Sequence, residues 1–324
     1  MKTFLLIFAL SVITRLCSQT KIVFTAIDYQ HDEVRAVICN SNGSSRTELG
    51  FNKTYLPVWL KDKILLNSDT FIWQCDTSGS NLQKLLAGYR VTVSNNENMF
   101  AFYDKDGIAI SDVKGNITKR IEVSIFEDAA ITWSKNDDKV SFFDPDKKVC
   151  FLFNLTNDSI EVFGDSIYHP LWNLKNDLVL FNKAKADGRF DVVLKKMNSD
   201  SAVIINSAIE NAVVPIWSND GSKVAFLSFE TEIENSLQTD LFPCKLVLYD
   251  LETRNKRVLS ADAGFTDKAF PQMCFDGKDE FISFTKINEN GIGSIARVNL
   301  QTFEQEVISK NPALDERFPH VKSF

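Results

Sequence analysis

Two short patterns alternate along this chain, and their repetition restricts its fold more than any other feature. The first is clearest in PIWSNDGSKVAFLSF, from Pro215 to Phe229: an apolar strand, a polar turn, then a second apolar strand. Its likenesses begin at Leu56 (LPVWLKDKILLNSD), Val91 (VTVSNNENMFAFYD), Ile131 (ITWSKNDDKVSFFD), His169 (HPLWNLKNDLVLFNK) and Phe270 (FPQMCFDGKDEFISFTK). Asp220-Gly221 and Asp276-Gly277 are expected to supply the positive φ that tight hairpins need. The second pattern is also strand, turn, strand, as in LVLYDLETRNKRVLS from Leu246 and IARVNLQTFEQEVIS from Ile295. The Asp or Asn opening that second turn falls at Asn40, Asp76, Asp112, Asn154, Asn198, Asp250 and Asn299, a mean spacing of about 43 residues.

Four short strands per unit at this period predict an all-β fold, a β-propeller. No 3.6-residue apolar period recurs, which excludes a helical solenoid. The chain ends in RFPHVKSF, a first strand without a partner, and KIVFTAIDYQHDEVRAVICN near its start lacks a first strand. Phe318–Lys322 is therefore expected to close the blade begun by Lys21–Asn40, which ties the termini together and removes a sheet edge. Counting that blade gives seven, with six as the alternative.

The repeat PIWSNDGSKVAFLSF resembles that of the TolB-like propellers, a WD40-like repeat, and of the propeller domains of prolyl oligopeptidase relatives. Asn219 stands where that repeat has its central Pro. The resemblance implies the propeller fold and leaves function open, because propellers carry many activities. Strand-like sequence starts within a few residues of Gln19, so the small domain and partner-binding tail that precede the propeller in TolB are not expected. No G-x-S-x-G elbow occurs, so the hydrolase domain of the peptidase relatives is not expected.

Residues 1–18 read as a signal peptide: Lys2 precedes an apolar run from Phe4 to Ile13 that is too short to span a bilayer. Residues 19–324 are then one propeller domain, periplasmic or secreted. Arg15 and Leu16 make a poor lipobox, so a lipid anchor at Cys17 is not expected. No later stretch reaches eighteen apolar residues, and no transmembrane segment is expected in the mature chain. Losing residues 1–18 removes Lys2 and Arg15 and no acid, which leaves 34 basic against 43 acidic residues, a net −9. That sign argues against nucleic acid and anionic membranes. Cys39, Cys75, Cys150, Cys244 and Cys274 mostly lie in apolar runs and read as buried thiols, with one disulfide, Cys244–Cys274, left open.

Trp59, Trp133, Trp172 and Trp217 recur at one strand position and are expected to fill the wedges between blades. Pro57, Pro170, Pro215, Pro271 and Pro319 are expected to open inner strands, where a missing N–H costs little. Function then falls to loops on one face or to the central channel. The longest such loop, from Glu230 to Pro243, carries Glu230, Glu232, Glu234 and Asp240. These acids join Asp28, Asp32, Asp104, Asp106, Asp144 and Asp146 in an expected acidic rim suited to a protein partner. His169 and His320, each beside a Pro, are candidates for the channel mouth, and His31 could approach them. The expected function is an exported, monomeric scaffold that binds a protein or ligand through this face, without a cofactor or metal. The alternative is a hydrolase or lyase acting on carbohydrate or peptide at the channel mouth. No catalytic residue is assigned. Five Asn-x-Ser/Thr sites (Asn42, Asn52, Asn116, Asn154 and Asn157) matter where the host glycosylates.

Overall fold

A computed structural model describes residues 20–123, 130–197, 199, 201–229, 240–266, 271–309 and 311–322. Among them there are strands and turns and no helix. The strands form five sheets of four and one of eight. The eight-stranded sheet is two antiparallel meanders, 211–265 and 273–307, joined only through Ala263 opposite Lys286. Divided there, the ring has seven four-stranded blades; the choice between seven and six turns on that division.

The closure expected of the C-terminal segment is present and longer than the sequence suggested. Asp315–Val321 pairs antiparallel with Lys21–Asp28 and completes the blade that also holds Glu33–Asn40 and Thr47–Leu49. We number this blade 1. Blades 2 to 7 follow as residues 55–87, 89–122, 132–165, 167–204, 211–265 and 273–307. In each, the inner strand lines the channel and the outer strand lies at the rim. In these meanders, turns between inner and second strands share one face with turns between third and outer strands. We call this the turn face. The loops between second and third strands, and those between blades, make the opposite loop face.

Seven buried apolar clusters lie in the wedges between neighbouring blades, closing the circle from blades 1 and 2 round to blades 7 and 1. The tryptophans belong to these wedges, as their recurrence implied. Trp59 and Trp133 are buried, and Trp217 and Trp172 are packed in part against their clusters. Three of them also donate an indole N–H to an inner-strand carbonyl of the preceding blade: Trp59 to His320 (3.1 Å), Trp133 to Thr92 (3.3 Å) and Trp217 to Leu171 (2.9 Å). A large ring with one polar tip suits a wedge that still holds an unpaired inner-edge carbonyl.

The prolines do not open inner strands as expected. Pro57, Pro170, Pro215 and Pro319 sit inside them, at β-bulges; only Pro271 precedes its strand, Met273–Phe275. The residue before each of those four prolines is left-handed: Leu56 (φ 44°), His169 (51°), Val214 (51°) and Phe318 (59°). Arg90 (55°) takes the same place in blade 3 without a proline. A bulge leaves one residue outside the ladder, so proline loses no sheet hydrogen bond there. The strained turn is pinned by a polar side chain on the previous blade's second strand. Thr25 accepts from Leu56 N–H (2.9 Å), Asn182 from Val214 N–H (3.1 Å) and Thr285 from Phe318 N–H (3.3 Å). In blade 3 the pinned group is Val91 N–H, which donates to Asn67 (3.2 Å).

The turn face is stitched all round. Between successive blades run Lys322 to the Lys61 carbonyl, Lys61 N–H to Glu97 (2.7 Å), Asn95 N–H to Asp137 (2.8 Å), and Lys135 to the Asn176 carbonyl (3.4 Å). Asn173 then meets the Gly221 carbonyl (2.9 Å), and Asn219 N–H meets Asp279 (2.8 Å). Val321 N–H reaches the Cys274 sulfur (3.3 Å) and links blade 1 to blade 7. Gly221 is required twice over: its φ is +73°, and a Cβ there would come within 2.4 Å of Asn173 Oδ1.

The open cysteine question resolves against a disulfide: Cys39, Cys75, Cys150, Cys244 and Cys274 are all free. Burial pushes Cys39 and Cys75 up to about 11, and Cys150 and Cys274 up to about 12. Such thiols are poor nucleophiles.

Candidate functional site

A cavity of about 260 Å³ occupies the channel. Its apolar wall includes Leu56, Val58, Trp133, Trp172 and Phe318, and its polar groups include Asn67, Arg90, Tyr103 and His320. Inner-strand bulges aim these side chains inward: Leu56, Arg90 and Phe318 are three of the left-handed residues. No Asp or Glu is among the described residues that line it.

The three histidines do not converge. His31 lies exposed on the loop face, its Nδ1 2.8 Å from Asp28, which raises its pKa. His320 lines the cavity, and His169 sits on the inner strand of blade 5. His320 Nδ1 accepts from Trp59 N–H (3.3 Å), and His169 Nδ1 accepts from Ala130 N–H (3.1 Å). Burial depresses both to about 4, helped at His169 by the Arg90 charge. Both rings are therefore neutral at pH 7, and the accepting Nδ1 places the ring proton on Nε2. Their nitrogens hold neighbouring blades in place.

On the loop face, Glu230, Glu232 and Glu234 lie outside the described residues. Asp240 is described, and it points at Arg317, with Arg317 Nη1 2.5 Å from its Oδ1. Arg317 is 2% exposed. It also makes a two-pronged contact with Asp315 (3.0 and 2.5 Å) and reaches the Tyr29 hydroxyl (2.9 Å). Tyr29 in turn donates to Asp315 (2.9 Å), as does Gly293 N–H (2.9 Å). Burial would lower the Arg317 pKa, but Asp315 and Asp240 overcome it and hold the guanidinium well above its usual range. The other face of the same strand carries Glu316, fully buried and paired with Arg46.

Sequence reading missed this cluster because it began the closing strand at Phe318. The signal was Asp315-Glu316-Arg317 beside an apolar run: strand alternation puts Asp315 and Arg317 on one face and Glu316 on the other. The expected acidic rim is also less bare than its composition suggests. Asp104 pairs with Arg120, Asp144 with Lys147 (2.8 Å), Asp106 with Lys105 (3.8 Å) and Asp28 with His31. Among the described residues, no group of three or more His, Cys, Asp or Glu is placed to hold a metal ion. No helix among them is long and apolar enough to cross a membrane.

The blades and their closure define a β-propeller, and solved structures similar to it include propellers. TolB from Acinetobacter baumannii is similar at TM-score 0.58 and 10% identity over 93% of this chain. This chain covers 66% of that protein, just under two thirds of its length. The β-propeller domain of the trilobed protease from Pyrococcus furiosus is similar at 0.62 and 14% identity, over 90% of this chain and 94% of that one. An oligogalacturonate lyase in complex with manganese is similar at 0.59 and 12% identity, over 91% and 86%. These likenesses establish the fold, with TolB-like propellers among the neighbours. No protein-family model and no curated protein matches the sequence.

Proposed function

We propose that this chain is an exported propeller that binds a protein partner through its loop face, with the channel mouth as part of that surface. One observation carries the reading against catalysis. The described channel offers an apolar wall and hydrogen-bonding groups without a carboxylate, and both candidate histidines are neutral with Nδ1 committed to the backbone. General acid–base work needs a group within reach of substrate with a pKa near the working pH. The inner-to-second-strand turns of the turn face are taken up by contacts between blades, which leaves the loop face as the one whose loops round the channel can vary. The leader read at residues 1–18 supports export to the periplasm or out of the cell, and the proposed working state is a monomer.

The test compares three proteins on extract from the compartment that holds the protein. They are the native chain, a chain with residues 230–239 replaced by a Gly-Ser linker, and a turn-face variant, Lys135→Ala. A partner retained by the native and turn-face proteins and lost with the loop supports the reading. Turnover of a carbohydrate or peptide that His320→Gln abolishes would instead establish the lyase or hydrolase alternative.

A further inference from the structure

We infer that one face of the disc is glycosylated: Asn42, Asn116 and Asn157 carry N-linked glycans, and Asn52 does not. The inference rests on the export reading above. All three acceptors are exposed, and so are the hydroxyl residues that complete their motifs, Ser44, Thr118 and Ser159. Each lies in a turn between a third and an outer strand: 41–46 in blade 1, 113–116 in blade 3 and 155–159 in blade 4. Those turns all open on the turn face.

These asparagines sit inside turns that other residues open, though Asn42 and Asn157 also accept through Oδ1 from the backbone N–H two residues on (Ser44, 3.0 Å; Ser159, 3.1 Å). In blade 3 the turn is opened by Asp112, whose Oδ1 accepts from Lys114 and Asn116 N–H (both 2.9 Å). In blade 4 it is opened by Asn154, whose Oδ1 accepts from Thr156 N–H (2.8 Å). Asn154 is half-buried and already committed, so Asn157 is the acceptor in that turn. In blades 1 and 4 the hydroxyls of Ser44 and Ser159 donate to Asn42 Oδ1 and Asn157 Oδ1 (2.7 Å each), bonds that do not use the Nδ2 of either exposed asparagine. Asn116 Nδ2 donates to Asp112 (2.8 Å), a bond that the single N–H left after modification can keep.

Asn52 has a different setting. Its Oδ1 accepts from Val34 N–H (2.9 Å), its Nδ2 donates to the Asp32 carbonyl (3.3 Å), and the side chain is half-buried between two loops. Thr54, which completes that motif, is fully buried, and its hydroxyl donates to the Phe51 carbonyl (2.7 Å). A sugar on Asn52 would break this loop-face junction.

In the transfer, the asparagine Nδ2 attacks the anomeric carbon of a lipid-diphosphate-linked oligosaccharide. A C–N bond forms, the C–O bond to the diphosphate breaks, and the nitrogen gives up one proton as the lipid diphosphate leaves. The sugars then shield the turn face and leave the loop face open to a partner.

The test uses the protein recovered from its own cells. Its N-terminus is sequenced, and peptide N-glycosidase in heavy-oxygen water marks each formerly glycosylated Asn as a labelled Asp. The expected result is label at Asn42, Asn116 and Asn157, none at Asn52, and one step of increased mobility for each of Asn42→Gln, Asn116→Gln and Asn157→Gln. Label at Asn52, or a processed N-terminus on a chain without label, overturns the inference while leaving export standing. An intact leader on an unlabelled chain overturns both.

Discussion

The two faces of this disc solve different problems with the same residue types. On the turn face, Asn and Asp reach across to the next blade: Asn219 gives its N–H to Asp279 and its side chain to the Asp276 carbonyl (2.7 Å), and Asn95 does the same with Asp137 and the Ser134 carbonyl. On the loop face, most acids bind within their own blade, as Asp144 does to Lys147 and Asp187 to Arg189. Other contacts cross between blades: Asp262 of blade 6 pairs with Lys286 of blade 7 (3.0 Å), and in the Arg317 cluster Asp240 from blade 6 meets the closing strand. A propeller needs its blades locked together, and one stitched face plus the apolar wedges achieves that. The other face is then free to change its loops without opening the ring.

The comparison is broken most severely where a buried ion cluster makes the loop face structural. Arg317→Ala leaves Asp315 buried and unpaired and is expected to cost ~3–5 kcal/mol, measured as a lower urea midpoint. Trp59→Ala empties a wedge and is expected to cost a similar ~3–5 kcal/mol, whereas Trp59→Phe, which keeps a ring there but loses the bond to His320 and some of the fill, should cost ~1–2 kcal/mol.

Acid should unlock the ring through His169 and His320. Their folded-state pKa values, about 4, lie below the ordinary 6.5. The unfolded chain therefore takes up protons between pH 6.5 and 4 that the folded chain does not. Stability present at neutral pH is lost as pH falls through that window, by on the order of 3 kcal/mol for each ring. His169→Gln and His320→Gln should flatten the slope of stability against pH there.

Asn219→Pro restores the residue found in TolB-like repeats, yet it should destabilise. Proline has no N–H for Asp279 and no amide for the Asp276 carbonyl, a loss of ~2–3 kcal/mol. The smallest effect belongs to the loop face: Lys147→Ala breaks an exposed pair with Asp144 and should change stability by less than ~0.5 kcal/mol.

The frame was legible because it repeats. A period near 43 residues, recurring Trp and an unpartnered terminal strand each follow from how four-stranded sheets pack into a ring. The prolines showed which strands were inner. Their seat at a bulge was hidden, because a bulge is one extra residue in register and leaves no mark in composition. The Arg317 cluster was hidden for another reason. Its members, Tyr29, Asp240 and Asp315, come from distant parts of the chain, and only closure of the ring brings them together. Asn219 looked like a lapse from the repeat and proved to be a link to blade 7. The loop-face acids were visible as charges, but not their partners, since Asp104 meets Arg120 across the outer half of blade 3.

The most direct test of the division between the faces is backbone hydrogen exchange on the protein with and without the partner it captures. The account predicts slowed exchange in the loop-face segments 28–33, 104–107 and 144–148, and none beyond the unbound rate in the turn-face segments 94–98, 134–138 and 218–222. Protection centred on those turn-face segments, with the loop face unchanged, would contradict it.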